Sequence, residues 1–160
     1  MSHENSKFIV DASLGRLAKW MRLLGYDTVV FLKEAGRAIL RLAVEENRIV
    51  LTRRADMIER QFSGTLFLIT DVIVGKQLHA VIENFSLKVD RQKMFTICLE
   101  CNEKLVDMEK EDVRDLVPPY VFENCSQYHQ CPRCRKIYWM GTHPGNALRF
   151  MKQHIPNHLP

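Results

Sequence analysis

Residues 8–31, FIVDASLGRLAKWMRLLGYDTVVF, contain the unit that decides the fold of this chain. The short β-branched runs at its two ends, 8–10 and 28–31, predict strands. Between them apolar residues recur at helical spacing, at Leu14, Leu17, Trp20, Met21 and Leu24. Ser13 is typical of a helix start and Gly25 of a helix end. A strand, a helix and a second strand in this order predict a right-handed crossover between parallel strands.

The same alternation continues outward from this unit to residue 87. RIVLT at 48–52 and TLFLIT at 65–70 are further strand candidates. Helices are predicted at 38–47 and 76–85, with a shorter one at 56–62. Repeated strand–helix alternation indicates an α/β fold, with a mostly parallel sheet that helices flank on both faces.

The composition is that of a soluble globular chain. Of its 160 residues, 46% are apolar and 26% are charged, which is ordinary for such proteins. No apolar run approaches the roughly 20 residues that a membrane span requires, and the first residues lack the pattern of a secretory signal. We therefore expect a cytoplasmic protein with no membrane partner, whose thiols stay reduced and available for a metal or for catalysis.

All five cysteines lie in the second half of the chain. Cys98 and Cys101 form one C-x-x-C pair, and Cys131 and Cys134 form another after 29 intervening residues. Two such pairs can hold one tetrahedral zinc, which leaves no open position, so a structural role is expected. Cys125 is predicted to be a spare or core thiol, with replacement of a ligand as the alternative. A redox role for the pairs would instead require an exposed thiol of low pKa.

The strand–helix alternation stops around residues 88–97. We therefore predict an α/β domain at 1–93 and a smaller module with a basic tail at 94–160. The module offers one strand candidate, KIYWMG at 136–141, and few apolar residues for a core of its own. Because a structural zinc supplies on the order of 10 kcal/mol of folding free energy, one zinc ion is expected to hold this module together.

Three acidic residues follow predicted strands: Asp11, Asp56 and Asp71. Ligand sites in open parallel sheets lie at the carboxyl ends of the strands, so these side chains could converge. Clustered carboxylates repel one another unless cations neutralise them, and Mg²⁺ or Mn²⁺ prefers such oxygen ligands. The pattern predicts a catalytic divalent-metal site, although an Asp at a strand–helix junction is also a common helix cap.

Basic residues form two groups that suit phosphate. On the first predicted helix they recur every three residues, at Arg16, Lys19 and Arg22. From residue 128 onward the chain has no acidic residue, and basic residues are interspersed with aromatic ones. The candidates for RNA contact in this stretch are Arg135, Lys136 and His143. Aromatic stacking beside cations favours single-stranded RNA as the partner. Ordinary solvated faces, and packing of the aromatics in the module, are the alternatives.

Several of these segments together resemble one family. They are VDASLGRLAKWMRLLGYD, RIVLTR, QL in a late helix, C-x-x-C with VPPYVF, and CPRCRKIYWMGTH. From about Phe8 to about Met151 the chain resembles the Mut-seven C-terminal RNase domain family. The resemblance implies a PIN-like nuclease fold with a zinc ribbon, and metal-dependent RNA hydrolysis by an acidic cluster. Asp11 matches the first acid of that cluster, and Asp56 matches the second acid of an Asp-x-Asp-like segment.

The chain departs from the family pattern at two positions. Gly36 stands where the family often has an acidic residue, and Glu34 lies two residues earlier. After the strand the family often reads Thr-Arg-Asp, whereas this chain has an arginine, Arg54, at the third of these positions. An arginine there removes a ligand and repels a metal ion, so Glu34 or Asp71 is the candidate replacement.

Arg53, in the same segment, is a further candidate for RNA contact. We therefore predict a divalent-metal-dependent ribonuclease whose zinc ribbon aids RNA binding. The alternative is an RNA-binding or adaptor module of the same fold that has lost cleavage. The likeness to PIN-like toxins also allows for a protein partner that restrains the activity.

Overall fold

The computed structural model describes His3, residues 5–139 and residues 142–160, with 142–145 described by their backbone alone. Its first half contains a four-stranded sheet whose strands all run parallel, in the spatial order β2-β1-β3-β4. The strands are β1 (Lys7–Asp11), β2 (Thr28–Phe31), β3 (Arg48–Thr52) and β4 (Leu66–Leu68). In the register, Val10 lies opposite both Val30 and Leu51. The predicted parallel α/β sheet is confirmed.

Helices cover both faces of this sheet. α1 (Gly15–Leu23) and α3 (Val74–Phe85) pack on one face, and α2 (Arg37–Glu46) packs on the other. Because neighbouring side chains of a strand point to opposite faces, Phe8 and Val10 join the core with α1 and α3, whereas Ile9 joins the core with α2. Each such large apolar side chain, when fully buried, contributes about 1.5–3 kcal/mol relative to exposure. Among the described residues, no helix combines the length and the apolar character that crossing a bilayer requires.

The turns at the carboxyl ends of β1 and β3 differ from the sequence expectation. A 3-10 turn, Ala12–Leu14, precedes α1, and Asp11 caps it by accepting the Ser13 N–H at 3.0 Å. The prediction that Ser13 caps this helix is wrong, because the charged carboxylate of Asp11 is the stronger acceptor. The predicted helix at 56–62 is likewise a 3-10 turn, Ala55–Glu59.

A small antiparallel sheet forms the second half. Its strands, in spatial order, are β5 (Val106–Met108), β6 (Tyr128–Gln130) and β7 (Ile137–Trp139). A short helix, α4 (Pro119–Asn124), precedes β6 and begins on proline, which suits the first helical turn. Among the residues whose side chains the structure describes, the buried core of this module consists of Val113, Val117, Val121 and Tyr128, with partly buried residues around them.

After this module the chain returns to the first sheet. α5 (Thr142–His154) and a final 3-10 turn (Pro156–His158) follow. Met151 and Ile155 belong to the same buried cluster as Phe8 of β1, so the C-terminal helix packs on the α/β core. The division of the chain at residue 93 stays a prediction. Of the strand predicted at 136–141, Ile137–Trp139 is observed, and its last two residues lie outside the described part.

Candidate functional site

Four cysteine side chains meet in the second half of the chain. The Sγ atoms of Cys98, Cys101, Cys131 and Cys134 all lie within 4.8 Å of one another. Those of Cys98 and Cys134 are 3.8 Å apart, and the sulfurs around a tetrahedral zinc with Zn–S bonds of about 2.3 Å are separated by about 3.8 Å. The cluster therefore fits one zinc ion, and four thiolates would leave that ion no open position.

Both cysteine pairs adopt the same turn. The residue after each pair is at positive φ, 62° for Asn102 and 66° for Arg135, and its N–H donates to the carbonyl of the first cysteine. In the second pair, the N–H groups of Arg133 and Cys134 also point to the Cys131 Sγ, each at 3.4 Å. These N–H groups are directed at a sulfur that carries negative charge when it binds a metal.

Tyr138 supports the cluster by hydrogen bonds. Its hydroxyl lies 3.1 Å from the Cys98 Sγ and accepts the Leu99 N–H at 3.2 Å. Burial opposes ionisation of Cys98, but the hydrogen bonds from Tyr138 and from backbone N–H groups outweigh it and lower the pKa of this thiol to about 7. Cys125 lies apart from the four and packs against the small core of the module, as a core thiol would.

Asn102 joins the first cysteine pair to the parallel sheet. It accepts the Thr28 N–H at 2.9 Å and donates to Asp27, which also binds Arg48 at 2.7 Å. Burial favours the neutral form of Asp27, yet the hydrogen bonds from Arg48 and Asn102 outweigh it and lower the pKa of this carboxyl. The first turn of the zinc cluster is thus fixed to the start of β2.

Arg22 makes a second link between the halves. It is 7% exposed, and its guanidinium donates to the carbonyls of Thr28, at 2.9 Å, and Leu99, at 2.7 Å. Burial lowers the pKa of Arg22, while the neighbouring Cys98 and Glu100 act in the opposite direction. The position differs from the solvent-facing one that RNA contact requires, because docking of the cysteine turn covers this side of α1.

Asn102→Ala is expected to lower the free energy of unfolding by about 2 kcal/mol, because it leaves the buried Thr28 N–H without its acceptor. Arg135→Ala is the matched control, since it places the same side chain at nearly the same positive φ in the equivalent, exposed turn. Urea denaturation of both variants measures the difference. Equal losses would contradict the docking role of Asn102.

Asp11 lies buried at the carboxyl edge of the sheet, where β1 ends. It is 5% exposed. One carboxylate oxygen accepts the N–H and the hydroxyl of Ser13, and the other accepts the Thr52 hydroxyl at 2.8 Å and the Arg53 N–H at 3.2 Å. The side chain therefore combines the strand-end position with a capping role, and four donors fix its orientation.

Asp56 is paired with an arginine of the same turn. Arg54 donates to both of its carboxylate oxygens, at 3.1 and 2.9 Å, and a further nitrogen donates to the Ala35 carbonyl beside Glu34. The hydrogen bond between the two side chains lowers the pKa of Asp56 and raises that of Arg54, and the charges of Glu34 and Asp11 raise the pKa of Arg54 further. A guanidinium thus lies in the field of three carboxylates, where the sequence predicted a divalent ion.

Glu34 and Asp71 occupy loops at the same edge. Glu34 is exposed before α2, and Asp71 is half-buried before α3, where its carbonyl accepts a hydrogen bond from Gln77 at 2.8 Å. Within the described part of the chain, no three of the four predicted acids bring their oxygens within 4.8 Å of one another. The edge therefore gathers acidic residues around Arg54 without forming a three-carboxylate cluster.

The exposed basic residues of α1, Arg16 and Lys19, line an open groove. Its volume is about 1070 Å³, and Arg16, Lys19 and Arg133 are among its lining residues, with α1 and β2 contributing further ones. Lys19 pairs with Glu100, which also lines the groove, at 3.1 Å. The remaining candidates, Arg53, Arg135 and Lys136, are exposed, and the His143 side chain lies outside the described residues.

A second, more apolar cavity of about 340 Å³ lies between α1 and β7. Trp20, Tyr138 and Trp139 line it, together with Lys136, whose Nζ lies 5.4 Å from the centre of the Tyr138 ring. Trp20 also stacks on Phe150 of α5, with ring centres 3.9 Å apart. Aromatic faces beside a cation are the chemistry that unpaired bases prefer.

The sequence reasoning missed some side chains that the structure brings to these sites. Thr52 holds Asp11, and Asn102 fixes the cysteine turn. A second group that could hold a metal, His79, Glu83 and His158, was also missed. Of this group, the sequence could indicate only the pair His79 and Glu83, whose spacing of four residues places them on one face of a helix. The contact with His158 could not be predicted, because contacts between residues far apart in the chain leave no local sequence pattern.

Comparisons with known proteins identify one family. A model of the Mut7-C RNAse domain matches residues 6–151. No curated protein and no solved structure matches the chain. The matched range contains the whole parallel sheet and all four clustered cysteines. The chain therefore belongs to the Mut7-C RNAse domain family.

Proposed function

We propose that this chain binds single-stranded RNA and that Arg54 suppresses hydrolysis at its acidic edge. Membership of an RNase-domain family supports RNA as the ligand. The observation that carries the proposal is the pairing of Arg54 with both oxygens of Asp56, in the field of Asp11 and Glu34. The chain's own cation thus lies beside carboxylates where a metal ion would otherwise bind.

The groove beside α1 is the RNA path in this proposal. Arg16, Lys19 and Arg133 supply cations for phosphates, and an RNA phosphate would compete with Glu100 for Lys19. Gly15 also lines the groove and follows the turn that Asp11 caps. A strand in the groove would therefore lead towards the acidic edge.

Bases would be held by the aromatic cavity. The cavity offers the faces of Trp20, Tyr138 and Trp139, and Lys136 places a positive charge beside them. Stacking contributes about 1–3 kcal/mol for each base and tolerates any sequence. The proposal therefore favours unpaired RNA with little sequence preference.

A divalent ion does not fit the acidic edge in this arrangement. Both oxygens of Asp56 bind Arg54, both oxygens of Asp11 accept other hydrogen bonds, and an approaching ion would meet the charge of Arg54. The four-cysteine cluster fits zinc but leaves it no open position, so zinc there would supply structure. No catalytic step is assigned to either metal.

Divalent-metal-dependent RNA hydrolysis is the second candidate function. Asp11 favours this function, because it is a buried acid at the end of β1 and matches the first acid of the catalytic cluster that the family resemblance implies. The side chain of Asp56 is 51% exposed, so its pair with Arg54 is a surface pair that solvent screens. In this case Mg²⁺ or Mn²⁺ would displace Arg54, and Glu34 or Asp71 would complete the ligands.

Binding and cleavage assays with a fluorescent single-stranded RNA separate the two functions. Under the proposal, the pure protein binds the RNA with an affinity that falls as salt rises, and leaves it intact in Mg²⁺ or Mn²⁺. Metal-dependent cleavage that is lost in Asp11→Asn would replace the proposal with the second candidate. Absence of binding at low salt would reject both.

Arg16→Ala is expected to weaken RNA binding roughly threefold to tenfold and to lower the slope of log affinity against log salt by about one. Arg41→Ala is the matched control, because it removes an exposed arginine from α2, on the opposite face of the sheet. Fluorescence anisotropy at several salt concentrations measures both variants. If the two variants weaken binding equally, the groove is not the RNA path.

A further inference from the structure

We propose that His79, Glu83 and His158 form a second metal site, for a divalent transition ion such as Zn²⁺, away from the four-cysteine cluster. The ligand atoms of these three side chains all lie within 4.8 Å of one another. His158 lies beyond the residues that the family model matches, and the RNA-binding proposal uses none of the three.

Two of the ligands come from one helix. His79 and Glu83 are four residues apart on α3, which places them on the same face, and the His79 Nε2 lies 3.5 Å from a Glu83 carboxylate oxygen. The third ligand, the Nε2 of His158, lies 2.7 Å from that same oxygen. Three ligand atoms thus converge on one point.

The ligand spacing is close to that of a zinc site. In a tetrahedral site with Zn–N bonds of about 2.0 Å, neighbouring ligand atoms are about 3.3 Å apart. Each pair of ligand atoms is already within 4.8 Å, so no pair needs to close by more than about 1.5 Å. The His158–Glu83 pair, at 2.7 Å, needs to open by about 0.6 Å. The side chains of His79 and Glu83 are 47% and 52% exposed, which leaves them the freedom to make this adjustment.

His158 is held in place by the residues on either side of it. Ile155 is fully buried, Leu159 packs against the same core, and the His158 N–H donates to the Ile155 carbonyl at 3.0 Å. The His158 side chain is 23% exposed. A ligand on a fixed backbone loses little conformational entropy on binding, which favours affinity.

The donor set selects the metal. Imidazole nitrogens suit Zn²⁺, Ni²⁺ and Cu²⁺, whereas Mg²⁺ and Ca²⁺ require mainly oxygen ligands. Two histidines and one carboxylate leave a fourth position for water. A bound ion would join α3 to the C-terminal segment and so hold residues 155–160 on the α/β core.

Titration of protein whose cysteine site already holds zinc tests the proposal. Calorimetry with Zn²⁺ should show one further equivalent, and Co²⁺ added in its place should give no thiolate-to-cobalt charge-transfer band, since no sulfur is involved. His158→Gln and His79→Gln should each lower the affinity at least about tenfold. His129→Gln is the matched control, because His129 pairs with a single carboxylate, Asp107 at 2.8 Å, on the small sheet.

Hydrogen exchange gives an independent readout. Zinc should slow exchange of the backbone amides of Ile155 and residues 157–159 in the wild type but not in Glu83→Gln. The proposal is overturned if no further equivalent binds, if the charge-transfer band appears, or if His158→Gln and His129→Gln bind alike.

Discussion

Cys131→Ser is expected to lose the zinc ion and, with it, the folded small antiparallel sheet. Cys131 is fully buried, and its Sγ accepts two backbone N–H groups that a serine hydroxyl, on a shorter bond, would not meet in the same way. The three strands of this sheet have three residues each, and the described part of the chain gives their core four buried side chains. A structural zinc contributes on the order of 10 kcal/mol to such a module. That is comparable to the whole stability of a typical domain, about 5–15 kcal/mol.

Unfolding in this variant should be confined to the small antiparallel sheet and should not extend into the parallel sheet. α5 follows the module in sequence but packs on the first core, where Met151 and Ile155 are fully buried. The helical signal in circular dichroism should therefore persist, while residues 98–139 become susceptible to protease. Elemental analysis should show one zinc fewer per chain in the purified variant than in the wild type.

Cys125→Ser is the matched control for this experiment. It removes a thiol that packs against the module's small core and lies outside the group of four. It should therefore keep the zinc and resist protease. A zinc content of Cys131→Ser equal to that of the wild type, or a lower content in Cys125→Ser, would contradict the assignment of the ligands.

The parallel sheet could be predicted because its determinants are local. A period of two in β1 sends Phe8 and Val10 to one core and Ile9 to the other, and a helical period orients α1. The cysteine cluster was equally readable, since two C-x-x-C pairs restrict the possible geometry. Both features depend on spacing along the chain, which a sequence displays directly.

The contacts between the halves could not be predicted in this way. Arg22 has the same spacing as Arg16 and Lys19, yet it is buried because the cysteine turn, 77 residues further on, docks over it. Thr28 and Asn102 are separated by 74 residues. Periodicity identifies a face of a helix, but it does not say which segment will cover that face.

Arg54 shows a different limit of sequence reasoning. The sequence indicated that an arginine at this position would repel a metal ion, and it left the outcome for Asp56 open. The structure adds that Arg54 binds Asp56 through two nitrogens and the Ala35 carbonyl through a third. The direction in which a long, flexible side chain points depends on the residues around it in the folded protein. The residues around Arg54 include acidic ones.

Arg54→Asp is expected to create a Mn²⁺ site at the acidic edge and to give Mn²⁺-dependent cleavage of single-stranded RNA at least about tenfold above the background seen with the wild type. The change removes the arginine that binds both oxygens of Asp56 and adds a carboxylate in the field of Asp11 and Glu34, while the more distant Arg60 stays 4.0 Å from Asp56. Without divalent ions these carboxylates repel one another, so the variant should melt at a lower temperature. Mn²⁺ at about a hundred times its dissociation constant should then restore about 2.7 kcal/mol. Thermal melts with and without Mn²⁺, and RNA cleavage, measure the two effects.

Arg53→Asp is the matched control, because it makes the same change of charge one residue earlier. The Arg53 side chain is exposed, and the contact of this residue with Asp11 is made by its backbone N–H, which the variant keeps. If the suppression is due to the position of Arg54, only Arg54→Asp should gain a Mn²⁺-dependent melting shift, and adding Asp11→Asn should remove it. Equal shifts in both single variants would attribute the effect to net charge. No shift in either would mean that the carboxylates at the ends of β1 and β3 are too far apart to share an ion, and Arg54 would then be a surface partner of Asp56 and nothing more.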